Sequence, residues 1–225
     1  TNVDACETQR ELAYRLNAEV PARLAKIAGK LNARMIQVST DYIFDGEAGP
    51  YPEDAHPTPI GYYGKSKLAG DNEVLAASPN NVVARTSVLF GYEPNAAPDF
   101  VSWLLLKLWS NEPVNIVTDQ YSTPTLTNSL ATGLRQIIDA NQSGVFHLVG
   151  AEYLNRYEFA VRIAELAGLP SGFITPVDGS TFTQTAPRPK QGGLTTKRTE
   201  LAIGFQPLSI AEAMHVYLRQ EQEQK

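Results

Sequence analysis

The chain has little that could crosslink it, bind a metal or bind nucleic acid. It has one cysteine, Cys6, in 225 residues, so no internal disulfide forms and a reducing compartment suits it. Its three histidines, His56, His147 and His215, are scattered, and no His-x-x-His or Cys-x-x-Cys spacing occurs. No metal site is expected. Charged residues make up 19% of the chain and the net charge is -5, with no basic concentration that would draw a nucleic acid. The longest apolar run, "FVSWLLLKLW", is broken by Ser102 and Lys107 and is too short to span a bilayer. The polar, acidic start, "TNVDACETQRE", has no signal-peptide pattern. A soluble cytoplasmic protein without membrane or nucleic-acid partners is expected. No glycine occurs before Gly29, which excludes a Gly-rich phosphate loop from that stretch.

What is present alternates. "ETQRELAYRLNAEVPARLAKIAGKL" reads as helix with Leu12, Leu16, Val20, Leu24 and Ile27 on one face, Pro21 as a kink and Gly29 as a stop. "ARMIQVST" and "NNVVARTSVLFG" read as buried strands, "GVFHLVG" as another. Helices are expected over Tyr62 to Ala77, "DFVSWLLLKLWSN", "LTNSLATGLRQIIDA", "NRYEFAVRIAELAG" with Asn155 as N-cap, and the closing "SIAEAMHVYLRQEQEQK". Residues 41–61, rich in proline and glycine, form a long loop of the kind that carries function. Residues 172–195 read as a mobile loop or lid. The alternation specifies an α/β fold with a largely parallel sheet, whose ligands sit beyond the carboxyl ends of the strands. Ser39-Thr40-Asp41 and the "LFGY" stretch occupy such positions.

One spacing stands out in "GYYGKSKLAG". Residues four apart share a helix face, and only Tyr63 and Lys67 bring a phenol and an ammonium together there. A phenol with a pKa near ~10 is a poor acid at neutral pH, and a nearby cation moves it toward the working range. A hydroxyl could hold a substrate carbonyl in line with that phenol. Ser39 and Thr40 are the candidates, and alternation along a strand lets only one face the cleft.

The order of strand, hydroxyl pair, long loop and Tyr-x-x-x-Lys helix resembles the extended short-chain dehydrogenase/reductase superfamily. "STDYIFDG", "PYPEDAHPTPIGYYGKSKLAGDNEV", "ARTSVLFG", "DQYSTPT", "TNVDACE" and "APRPKQGGL" are similar to segments of the dTDP-4-dehydrorhamnose reductase family. The resemblance implies a doubly wound, Rossmann-like parallel sheet lacking its N-terminal strands, with a small C-terminal substrate-binding lobe. It places the NAD(P)-binding part at residues 1–91 and 119–150 and the lobe at 92–118 and 151–225. The implied reaction is reduction of the C4 carbonyl of a nucleotide-linked keto-sugar by NADPH or NADH, most specifically of dTDP-4-dehydro-L-rhamnose. A homodimer is compatible with it.

On this resemblance the catalytic residues are Thr40, Tyr63 and Lys67, with Lys67 also holding the nicotinamide ribose. Ser39, Tyr63, Lys67 and Arg85 would contact the cofactor. Asp41, Thr86, Ser87, Gln120, Thr123 and Arg188 would contact the substrate, Arg188 through a diphosphate that suits a guanidinium. Two departures stand out. Val88 follows Arg-Thr-Ser where bacterial rhamnose enzymes carry tryptophan, and the family's N-terminal strand, Gly-rich loop and helix have no counterpart. The expectation is a fragment of a longer protein. The regulatory β-subunit of methionine adenosyltransferase has similar motifs, which supports a second, non-catalytic reading; an epimerase or dehydratase is a third, opposed by "DQYSTPT". Elsewhere plainer roles are expected: His147 and Cys6 packed in the core, Glu47, Glu53 and Asp54 solvated, Trp103 and Trp109 packing.

Overall fold

The computed structural model describes residues 2–223. Along the chain run α1 (Val3–Thr8), α2 (Arg10–Tyr14), α3 (Val20–Lys30), β1 (Ile36–Thr40), α4 (Tyr62–Ala77), β2 (Val82–Thr86), β3 (Leu89–Phe90), α5 (Phe100–Trp109), β4 (Val114–Val117), β5 (Tyr121–Ser122) and β6 (Thr125–Leu126). Then follow α6 (Thr127–Asp139), β7 (Gly144–His147), β8 (Leu154–Asn155), α7 (Arg156–Leu166), β9 (Ile174–Val177), α8 (Lys197–Ile203) and α9 (Ile210–Glu223). The main sheet is parallel in the order β1-β2-β7, with Ser39, Arg85 and His147 in one cross-strand row. Every residue of β2 is buried, as expected of a central parallel strand covered on both faces. The pairs β3–β6 and β4–β9 are also parallel, and β5–β8 is antiparallel.

Three apolar clusters hold these elements. The largest gathers Leu104, Leu105 and Leu108 of α5, Phe159 and Ile163 of α7, and Met214 and Tyr217 of α9. The second sets Val82, Ala84 and Phe146 of the sheet against Leu130 and Ile137 of α6 and Phe205. The third joins Ile43, Phe44 and Tyr51 of the long loop to Val149 and Leu194. Asn155 caps α7 as expected, in a reciprocal box with Glu158.

The first helix departs from its expected form. It is divided at Gln9 and again by a π turn over Arg15–Glu19, and Pro21 lies in the first turn of α3. Pro21 has no N–H to give the Asn17 carbonyl, so the α ladder cannot run unbroken through this point. The apolar stripe also points the other way. Leu12, Leu16, Val20, Leu24 and Ile27 are exposed, while Ala13, Ala18, Ala22 and Ala25 are buried. Small side chains win the inner face because α4 packs at backbone distance. A Cβ on Gly70 would lie 1.9 Å from the Asn17 carbonyl oxygen.

Gly70→Ala is therefore expected to cost about 1–3 kcal/mol. Gly29→Ala, with nothing within 4 Å of its new methyl group, is expected to gain about 0.5–1 kcal/mol. Urea midpoints read both, and equal midpoints would show that the α4 contact is not tight.

One loop expectation is also corrected. Glu53 is not solvated: it is buried and accepts hydrogen bonds from the Thr199 amide (3.1 Å) and hydroxyl (2.8 Å). The stretch 186–195 is tied down, with Tyr51 N donating to Gly193 O, Thr195 N to Tyr51 O and Gln191 N to Gly46 O. Cys6 and His147 are buried, Trp103 packs against the largest cluster, and Trp109 is half exposed. No helix among the described residues is long and apolar enough to cross a membrane.

Candidate active site

The site is built where β1 ends and α4 begins. Gly64 lets the first turn of α4 lie against the Tyr42 backbone, since a Cβ there would come 2.0 Å from the Tyr42 carbonyl oxygen. This contact sets the Tyr63 ring edge-on to Tyr42, with centroids 5.7 Å apart. Tyr62 turns to α1 instead. Its amide donates to Glu7 (2.5 Å), in place of a side-chain cap from Gly61, and Arg10 lies over its ring. The two tyrosines of the motif are thus distinguished by their surroundings as well as by spacing.

Lys67, on the Tyr63 face of α4, donates to the Val38 carbonyl at 2.7 Å. Burial pulls its pKa down and the Asp71 charge opposes that shift. Ser39 and Thr40 split as strand alternation requires. Ser39 donates to the buried Asp71 (2.5 Å), whereas the Thr40 hydroxyl accepts from Tyr42 N (3.2 Å) and donates to Asp41 (3.3 Å).

Asp41 is buried and also accepts from the Ser87 hydroxyl (2.5 Å) and the Gly193 amide (3.2 Å). Burial raises its pKa while these donors lower it. The Tyr42 phenol is held above its ordinary range by burial and the Asp41 charge. Val88, next to Ser87, adopts φ 42, a conformation that strains a β-branched residue and is found chiefly where surrounding contacts impose it.

The remaining expected residues fall into three places. Arg85 is buried on β2 in register with Ser39, its guanidinium over the Phe44 ring, and Thr86 stands opposite Thr40 in register, its hydroxyl without a hydrogen-bond partner among the described residues. Gln120 faces Gln184, and Thr123 accepts from the Leu194 amide. Arg188 is engaged by Asp4 through two contacts of 2.6 and 2.8 Å, which hold the Asp4 carboxyl far below the usual carboxylate range.

Two residues escaped the sequence reading. Tyr42 and Arg156 line a small cavity with Asp41, Gln120 and Pro189, and Arg156 stacks on Phe100. A signal for Arg156 existed: it is the first residue of α7, where the helix dipole disfavours a cation. A cleft of about 750 Å³ lies elsewhere, between Tyr92, Asp99, Trp109 and Tyr217. None of Thr40, Tyr63 and Lys67 lines it, so size does not mark the chemistry here. Among the described residues no group of three or more His, Cys, Asp or Glu side chains could hold a metal ion.

Known proteins are similar to this chain along most of its length. The model of the RmlD substrate binding domain matches residues 1–223. A dTDP-4-dehydrorhamnose reductase of Mycobacterium tuberculosis is 35% identical over 92% of this chain and 69% of its own length. Methionine adenosyltransferase 2 subunit beta of Xenopus laevis is also 35% identical, over 89% of this chain and 62% of its own. The crystal structure of dTDP-4-dehydrorhamnose reductase from Bacillus anthracis in complex with NADP superposes with a TM-score of 0.91. It is 29% identical, over 98% of this chain and 77% of that one.

Proposed function

We propose, for a chain that belongs to the RmlD substrate binding domain family, that it reduces the C4 carbonyl of a nucleotide-linked keto-sugar, with dTDP-4-dehydro-L-rhamnose as the substrate. The observation that carries this reading is that Tyr63 and Lys67 share one face of α4, with Lys67 on the Val38 carbonyl of β1, the strand that ends in Thr40, and Tyr63 against the Tyr42 ring. Two similar reductases, one of them crystallised with NADP, support NADPH or NADH as the reductant. The residues present fit the nicotinamide end of such a cofactor. Lys67 can reach a ribose hydroxyl from α4, and the Thr86 hydroxyl at the carboxyl end of β2, without a hydrogen-bond partner among the described residues, can take a further polar group. Bound there, the reduced nicotinamide supplies the hydride.

In the proposed mechanism Thr40 orients the carbonyl oxygen, and Tyr63 donates a proton to it as C4 becomes an alcohol carbon. Lys67 stabilises the phenolate left behind. Asp41 fixes the Thr40 and Ser87 hydroxyls. Arg156 and Arg188 flank Tyr42 and suit the substrate diphosphate, for which Arg188 would exchange its Asp4 partner. Residues 1–91 and 119–150 would form the cofactor side, and 92–118 and 151–225 the sugar side.

The purified protein is expected to consume NADPH when given dTDP-4-dehydro-L-rhamnose. Absence of turnover, together with stable co-purification of a methionine adenosyltransferase catalytic subunit, would replace this reading with the regulatory one. That alternative rests on the equal identity to the β-subunit.

A further inference from the structure

Asp71 belongs to none of the roles assigned above, yet it is among the most buried charged groups described, with 1% of its surface exposed. It lies one helical turn beyond Lys67 on α4, so the two side chains share a face. Neighbouring residues of β1 hold both. The Val38 carbonyl accepts from Lys67 (2.7 Å), and the Ser39 hydroxyl donates to Asp71 Oδ2 (2.5 Å). The other oxygen, Oδ1, is buried without a hydrogen-bond partner among the described residues.

The charged groups facing Asp71 are Lys67 from its own helix and Arg85 from β2. Arg85 in turn faces Glu53 of the long loop and His147 of β7. One carboxylate thus serves two cations. Burying it is costly, and apolar packing of the same volume would be the more stable solution if the position were only structural.

We propose that Asp71 is a positioning residue for Lys67: fixed by Ser39 and set against Arg85, its carboxylate keeps the Lys67 ammonium charged and in place beside Tyr63. This rests on the reading of Lys67 given under Proposed function. Burial pulls the Lys67 pKa down, and Asp71 is the group opposing that shift. Without Asp71, Lys67 loses its proton at a lower pH, and the stabilisation it offers the Tyr63 phenolate goes with it.

The test is a titration that needs no substrate. Lysines of the purified protein are methylated with isotope-labelled formaldehyde, the Lys67 resonance is assigned with Lys67→Arg, and its shift is followed with pH. In Asp71→Asn the Lys67 midpoint is expected to fall by about one pH unit. Asp71→Glu should recover most of that fall, and the alkaline limb of kcat should move with the midpoint. In the wild type, the Lys67 resonance should also show a second inflection near the Asp71 pKa of about 6, a readout that does not depend on any variant folding. An unmoved midpoint in folded Asp71→Asn, or no second inflection in the wild type, overturns the proposal. A moved midpoint beside full turnover by Tyr63→Phe leaves the Asp71–Lys67 coupling standing and removes the catalytic reading on which it rests.

Discussion

Tyr63→Phe is expected to lower kcat by about 10²–10⁴-fold, the usual contribution of a positioned general acid, with KM for NADPH nearly unchanged. Phenylalanine keeps the ring and its edge contact with Tyr42, so the fold and the start of α4 should survive. The informative comparison is Tyr42→Phe. Tyr42 also lies beside Thr40 and Asp41, but burial and the Asp41 charge raise its pKa and make it a poor proton donor at neutral pH. Its removal should cost far less in kcat and fall mainly on KM for the sugar, because Tyr42 stands among Arg156, Arg188 and Gln120. Steady-state kinetics of both variants decide the assignment. Near-normal kcat in Tyr63→Phe with a thousand-fold loss in Tyr42→Phe would transfer the acid role to Tyr42.

The parts of the site that depend on local periodicity were legible in the sequence. "IQVST" and "VVART" are apolar enough to be covered parallel strands, and the four-residue step from Tyr63 to Lys67 fixes a shared face wherever α4 packs. Side-chain alternation separated Ser39 from Thr40 in kind; the structure then assigned Thr40 to the Tyr42 side and Ser39 to Asp71. Features that depend on distant residues were not legible. The leucines of the first helices have the spacing of a core face, but the inner surface went to alanines because Gly70 brings α4 to backbone contact. Glu53 looked solvated because its partner, Thr199, lies 146 residues away. Arg188 was expected at a substrate diphosphate, and its partner Asp4, at a separation of 184, could not be foreseen for the same reason. No local window contains such pairs, and their energies depend on burial that only the assembled sheet creates.

The largest effect on stability is expected from two buried groups that oppose each other between pH 4 and 6. His147 is fully buried beside Arg85, and both burial and that charge push its pKa down to about 3. A depressed folded pKa means stability that is present above the unfolded value of 6.5 and is lost as pH falls toward 3. Asp71 has the opposite sign. Its folded pKa of about 6 exceeds the unfolded 3.8, so its contribution is full below 3.8 and is lost as pH rises through 6. Each amounts to about 2–3 kcal/mol across that window, and in the wild type they largely cancel. The variants separate them. From pH 6 to pH 4, urea-unfolding free energy should fall by about 2–3 kcal/mol in Asp71→Asn relative to the wild type, because Asp71 no longer opposes His147. It should rise by a similar amount in His147→Gln, which keeps an N–H for the Thr195 carbonyl that His147 Nδ1 now meets. Asp41, raised by burial in the same direction as Asp71, shifts all three curves together and leaves their differences intact. A loss of activity in Asp71→Asn whose urea midpoint at neutral pH matches the wild type would reflect the charge on Lys67 and not damage to the fold. Parallel curves for the three proteins would show that neither group is desolvated as the structure requires.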